Sequence, residues 1–426
     1  MPGLSRPPTV RFQDEVRTFI AFGLVGAVNS ILPLIVFSAN YLIIPFPRAV
    51  VTILEILPAL LIKLILPPLL RHVNISYRLR PLLLASCWVL TRIVTAATPP
   101  NVPPAPRILM TLLASAASAA TDVSCLGQLR HYGLAGLAGW GVGTGTGRLL
   151  CALFPLAVTV WQGRQLRQAI EHILPLTAVM LVAFLLVLPR PAVYRRDPDD
   201  VLDDDLQGEP GVFLLQQDPR LNGAANAHHA GGATVAAGGK LDALSKNVKQ
   251  NIGLTRPLVK PYMTPLFVAF VVQAVVYPGI ARALAASLQP DFLHYSTVYG
   301  LFFHAGNLLA RSSVLFFRIR RPRSLLSLLL VALASVLVNA YFLISAYAIF
   351  LMAFVIGFLV GAVYVNIFAR ILEDDIYDAD AREFALGAAS AGEAAGLLFG
   401  GIVGTVFEAA LCSLPVDGTR WCHRTR

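Results

Sequence analysis

Eleven apolar runs, each close to twenty residues or longer, recur along this chain with short arginine-bearing segments between them. Wound as a helix, a run of about twenty residues rises about 1.5 Å per residue and crosses the roughly 30 Å of hydrocarbon in a bilayer. Lipid offers no water to backbone N–H and C=O groups, so a spanning run must satisfy them internally, as a helix does. The runs fall at about 17–42, 49–70, 79–98, 107–127, 135–160, 169–189, 261–283, 293–315, 324–342, 346–370 and 384–410. Arg92 interrupts the third. The reading is an all-α polytopic membrane protein of about eleven transmembrane helices in two halves, six and five.

Composition agrees with that class. Hydrophobic residues make up 56%, charged residues only 14%, and the mean hydropathy is +0.67. Soluble domains carry about 25% charged residues, which excludes a soluble multidomain enzyme. The net charge of +10 resides in arginines clustered between apolar runs, not in a basic stripe with interleaved aromatics, so no nucleic-acid partner is expected. The N-terminal residues do not read as a signal peptide.

Arginine placement sets the orientation. With a cytosolic N-terminal segment (1–16), the cytosolic side holds Arg6 and Arg11, then Arg71, Arg78 and Arg80, then Arg190, Arg195 and Arg196, then Arg318, Arg320, Arg321 and Arg323. Arg164 and Arg167 fall on the other side and count against a clean rule. The C-terminal tail, 411–426, then lies in the lumen, where Cys412 and Cys422 could bridge. Residues 190–260 carry an acidic run and a Gly/Ala-rich stretch, and read as a disordered cytosolic linker between a first half (17–189) and a second half (261–410). A basic loop follows the second helix of each half, RHVNISYRLRP and FRIRRPRS, as a two-repeat transporter would show.

Charged residues inside spans are costly and mark functional sites. Glu393 lies about ten residues into the last span, near the bilayer midplane, where transporters place substrate and ion sites. Glu55 and Lys63 share span 2, eight residues apart. That is about 12 Å along the axis and about 80° around it, so they cannot pair, and each needs its own partner. Snorkelling toward opposite interfaces is their alternative fate. Asp122 closes span 4, about five residues from the interface, as a gate, a packing ion pair or a substrate contact. Arg148 lies near the middle of span 5 and needs a carboxylate or an anionic ligand, with Glu393 and Glu55 as the acidic candidates. Asn29, Gln273, His304, Asn307 and Asn366 complete the polar set, with interhelical hydrogen bonding as their simplest role.

The glycines of GWGVGTGTG and of the run around Glu393 suit close helix packing. Without a preceding strand or a GK[ST] signature, the former does not bind phosphate as a nucleotide loop. No nucleophile and base can be assembled, so no catalytic site is expected. No CxxC pair appears, and neither a metal nor a cofactor is implied.

The motifs LEILPALLIKLILP (54–67), GWGVGTGTG (139–147), AGNLLARSS (305–313), GAVYVNIF (361–368) and REFALGAASAGE (382–393) resemble the battenin family of lysosomal membrane proteins and their vacuolar fungal relatives. The resemblance implies a major-facilitator-like fold in a lysosomal or vacuolar membrane. It also implies a role in lumenal pH and basic amino-acid (arginine) homeostasis, and export of glycerophosphodiesters. By position, Glu55, Asp122 and Glu393 match acidic residues of the family, and Lys63 its span-2 lysine. The chain departs from the family in having Val272-Gln273-Ala274 where Ala-Glu-Tyr is common, Ile356 in place of an acid, and Arg148 in place of a small residue.

The expectation is therefore a proton-linked secondary transporter of a small anionic or amino-acid-like molecule, with protons and the lipid bilayer as its other partners. The alternative is a non-transporting scaffold that regulates organelle trafficking or acidification through partners at the cytosolic linker.

Overall fold

The computed structural model describes residues 9–41, 48–72, 79–98, 104–189, 253–281, 284, 292–316, 319, 322–342, 346–374 and 379–413. The acidic and Gly/Ala-rich parts of the proposed linker, and Cys422 with its possible bridge to Cys412, lie outside the described residues.

The described chain is helical. The helices are α1 (Thr9–Tyr41), α2 (Arg48–His72), α3 (Leu79–Ala97), α4 (105–132), α5 (134–161), α6 (Leu166–Val187), α7 (Gly253–Ile280), α8 (Phe292–Ser312), α9 (Pro322–Phe342), α10 (Ala346–Glu373) and α11 (Ala379–Ser413). Nine segments among the described residues are long and apolar enough to cross a membrane. One of them, Ala105–Trp161, is two helices meeting at Gly133, whose φ of 60° and ψ of −143° suit glycine and turn the chain back. With that segment divided, and with α8 beside its neighbours, the described chain has the eleven helices that the apolar runs predict.

Two boundaries differ from the sequence reading. Helix α4 does not stop near residue 127 but runs on to Gly133, because Gln128 and Leu129 are buried against neighbouring helices and continue the helical face. That carries Asp122 more than a turn deeper than expected. Helix α7 starts at Gly253 rather than near 261, with π-helical turns at 259–263 and 275–280.

Large apolar side chains point outward as well as inward. Leu61, Leu64, Ile65, Val331 and Phe399 are all exposed on the helix bundle. In water such faces would associate, whereas in hydrocarbon they are the solvated surface.

Glycine sets which helices touch. On α5, Gly139, Gly143 and Gly147 lie against Phe19, Gly23 and Ala27 of α1; a Cβ on Gly147 would stand 2.6 Å from the Ala27 carbonyl oxygen. On α11, Gly392, Gly396 and Gly400 lie against Met263, Phe267 and Val271 of α7; a Cβ on Gly400 would stand 2.6 Å from the Val271 carbonyl oxygen. Both ladders step by four residues on both partners. The first and fifth helices of each half are thus locked in the same way, and this is the clearest internal repeat in the molecule. Between the halves, α2 packs on α11 and α5 packs on α8. Those two seams position the site.

Candidate functional site

The seams bring four charged residues of the apolar runs into one buried cluster. Lys63 of α2 places its Nζ 2.9 Å from Asp122 Oδ2 on α4 and donates to Glu393 Oε2 on α11 at 3.2 Å. The other Glu393 oxygen accepts from Arg148 Nη2 on α5 at 2.9 Å. Asn29 of α1 donates to Asp122 Oδ1 at 2.7 Å and to the Ser118 carbonyl at 3.2 Å. The result is a relay, Asn29–Asp122–Lys63–Glu393–Arg148, running through five helices and crossing from the first half to the second twice.

Burial is uneven along the relay. The Lys63 and Glu393 side chains are each 5% accessible, whereas Asp122 keeps 24% and Arg148 25%. The middle of the relay is dry, and Asp122 and Arg148 on either side of it keep partial exposure. Each ion is costly to bury alone, and the network holds because every charge has a partner of opposite sign.

A second cation lies beside this relay. Arg311 of α8 is fully buried. Its Nη1 donates to Thr144 Oγ1 on α5 at 2.7 Å, and its guanidinium stands 3.9 Å over the Tyr364 ring of α10. The Tyr364 hydroxyl accepts from Trp140 Nε1 at 3.1 Å. Phe270 of α7 joins the two groups, packing edge-on to Tyr364 with centroids 6.1 Å apart and lying 6.0 Å from the Arg148 guanidinium. The sequence reading did not single out Arg311 as a site residue. The signal was present in its motif, AGNLLARSS, but the arginine lies near the end of an apolar run that leads into a basic loop.

The remaining sequence candidates separate. Glu55 lies about two turns from Lys63 on α2, half-buried, with its main-chain oxygen accepting from Ser115. Gln273 is buried, and its side-chain oxygen has no hydrogen-bond partner among the described residues. His304 is buried against Tyr277 and Phe303, and its Nδ1 likewise has none among them. Asn307 donates to the Gly357 carbonyl at 3.3 Å, a helix-packing contact. Asn366 accepts from the Ile319 N–H at 2.8 Å and donates to the Ala362 carbonyl at 2.8 Å, tying the chain after α8 to α10 away from the relay.

Contacts at both ends frame the cluster. At one end Glu383, in the first turns of α11, holds Arg80 of α3 and Arg130 of α4, each at 3.0 Å. Toward the other, Tyr277 leaves the helix of α7 and stacks on Tyr299 and Phe303 of α8, with centroids 5.8 and 5.5 Å apart. A separate apolar cavity of about 540 Å³ between α1, α5 and α6, lined by Ile31, Phe154, Trp161 and Leu176, contains none of the relay residues.

Similarity to known proteins runs along this whole architecture. The family model described as CLN3 protein matches residues 19–414. The chain belongs to the CLN3 protein family. Among curated CLN3-type relatives, Protein BTN1 of Chaetomium globosum is 32% identical, covering 96% of this chain and 92% of that protein. Protein btn-1 of Neurospora crassa is 30% identical over 97% and 92%, and Protein BTN1 of Saccharomyces cerevisiae 26% identical over 94% and 97%. These are the fungal relatives to which the sequence motifs pointed. Among solved structures, the major facilitator superfamily proton:xylose symporter XylE bound to 6-bromo-6-deoxy-D-glucose matches with a TM-score of 0.58 and 12% identity, covering 94% of this chain and 93% of that one. A second D-xylose–proton symporter structure matches with a TM-score of 0.53 and 13% identity, covering 93% and 89%. This CLN3 family member is therefore a multi-pass membrane protein with the major-facilitator fold.

Proposed function

We propose that this chain is a secondary transporter of the lysosomal or vacuolar membrane that works by proton-linked alternating access. Its role is in lumenal pH and basic amino-acid (arginine) homeostasis, including export of glycerophosphodiesters. The single observation that carries the proposal is Glu393, which binds Lys63 and Arg148 at 3.2 and 2.9 Å. One carboxylate from the second half thereby bridges two cations of the first.

Alternating access requires the halves to rock about a central site. They cannot separate at α2–α11 or α5–α11 while Glu393 holds both cations. A proton on Glu393 removes its charge and frees Lys63 and Arg148 together, so protonation and opening are linked by one group. Asp122 then retains Lys63, and Arg148 is left to receive an anionic part of the substrate. The fold neighbours are named as proton symporters, which supports the same coupling here. With the N-terminus in the cytosol, the Glu383 ion pairs lie on the cytosolic side.

The test is reconstitution of the full chain in liposomes with an imposed pH gradient, following radiolabelled arginine and a glycerophosphodiester. Gradient-dependent movement of one of them is expected. If neither moves faster with the gradient than without it, the reading is wrong.

A further inference from the structure

The cluster and its surroundings hold three cations, Lys63, Arg148 and Arg311, against two carboxylates, Asp122 and Glu393. The surplus is not spread evenly. Lys63 is saturated, with one carboxylate on each side. Arg148 gives one nitrogen to Glu393, and its buried Nη1 has no hydrogen-bond partner among the described residues. Arg311 gives Nη1 to a neutral hydroxyl, and its buried Nε and Nη2 have no partners among the described residues. A buried guanidinium with idle N–H groups is expensive, because each lost hydrogen bond to water goes unreplaced.

Arg311 Nη1 bonds Thr144, which lies one turn before Arg148 on the same face of α5, so the two guanidinium groups share one stretch of the α5–α8 seam. Each belongs to a different half, Arg148 to α5 and Arg311 to α8. The helices carrying them are in close contact: a Cβ on Gly141 of α5 would stand 3.1 Å from the Arg311 carbonyl oxygen. Two arginines with idle donors on neighbouring turns of one seam are what an oxyanion would satisfy, since a guanidinium fork matches its oxygens in a plane.

We propose that Arg311 and Arg148 form a clamp for a compact oxyanion on the transported molecule, a phosphoryl group or a carboxylate, with one arm from each half. This rests on the transporter reading and names the part of the substrate that the site recognises. Tyr364 and Phe270 wall the clamp, so each flat cation is held at a ring face while Arg311 Nε and Nη2 and Arg148 Nη1 are left for the ligand. Bound between the arms, the anion draws the halves together, and this replaces the attraction that a protonated Glu393 no longer supplies.

The test uses the purified full chain in detergent at constant ionic strength. Inorganic phosphate, glycerol 3-phosphate, acetate and succinate are titrated separately, with chloride as the reference. Thermal unfolding and tryptophan fluorescence are read, the latter because Trp140 is bonded to the tyrosine under Arg311. Saturable stabilisation by phosphate and its ester, or by the carboxylates, is expected, and the stronger pair identifies the group. Arg311→Gln should weaken apparent affinity at least tenfold, with Arg311→Lys intermediate because it keeps the charge and loses the fork. Lys260→Gln, on an exposed surface, should leave the titration unchanged. If Arg311→Gln does not fold, Arg311→Lys decides, and wild-type affinity in that variant overturns the clamp. So does the absence of any saturable anion effect on the wild-type protein. If Glu393→Gln abolishes proton-linked flux while anion affinity ignores Arg311, the clamp falls and the transporter reading stands. If gradient-driven flux is absent but the Arg311-dependent anion effect is present, the transporter reading falls.

Discussion

Arg148 Nη2 lies 2.9 Å from Glu393 Oε1, and this contact joins the first half of the protein to the second at the level of the buried cluster. Because Glu393 also binds Lys63, removing its charge leaves two cations under-neutralised. Glu393→Gln is therefore expected to lower stability. A double-mutant cycle with Arg148→Gln measures the pair directly, and a favourable coupling of about 1–3 kcal/mol is expected from thermal or denaturant unfolding in detergent. A coupling near zero would mean that the contact is not made in the folded population.

Lys63 is the more sensitive position. It alone separates the Asp122 and Glu393 carboxylates. Lys63→Met removes the shared cation and leaves Asp122 to Asn29 and Glu393 to Arg148, and breaking a buried network this way costs about 3–5 kcal/mol. Expression and melting temperature should fall well below those of Lys63→Arg, which keeps the charge. Equal behaviour of the two variants would contradict the arrangement.

Glu383 is placed to hold one end of the bundle shut. It pairs with Arg80 and Arg130 at 3.0 Å each, and the three side chains are 15–20% accessible. Partial exposure limits the worth of such a network to about 1 kcal/mol, and salt reduces it further. Glu383→Ala should speed hydrogen exchange at the start of α3, the end of α4 and the start of α11, with little change in melting temperature. The same exchange difference should shrink at high salt. Unchanged exchange at all three sites would exclude a closing role.

The glycine ladders give a packing test. Gly396 of α11 faces the Phe267 carbonyl so closely that a leucine there must push α7 away. Overpacking of this kind costs about 1–3 kcal/mol or more. Gly253, with nothing within 4 Å of an added Cβ, is the control at which alanine should be neutral. Similar losses at both positions would remove the ladder as a determinant of the fold.

Much of the site could be read from the sequence because charge inside an apolar run is conspicuous. Glu393, Arg148, Lys63 and Asp122 each stood out for that reason, and Glu393 with Arg148 or Lys63 was the expected pairing. That one carboxylate serves both cations depends on how α2 and α5 approach α11, which no single run encodes. Asp122 was read too near the interface, because where α4 ends depends on Gly133 and on the burial of Gln128 and Leu129. Arg311 was missed as a site residue because serines and a basic loop follow it, so it resembles an interfacial arginine until Thr144 and Tyr364 are seen to enclose it. The repeat between the halves was sought in basic loops, whereas its physical basis is a matched set of glycines on α5 and α11.

The linker separates the transporter account from the scaffold alternative. Deleting residues 197–250 should leave gradient-driven flux in liposomes intact and should still restore lumenal pH in cells lacking the protein. Retained flux with no rescue would favour a scaffold acting through that segment.

The most direct test of the central claim is the pH dependence of flux through Glu393→Gln in proteoliposomes, normalised to folded protein by size exclusion. The account predicts that any flux remaining no longer responds to a pH gradient, because the group that links protonation to opening is gone. Flux through the variant that follows the gradient as the wild type does would contradict it.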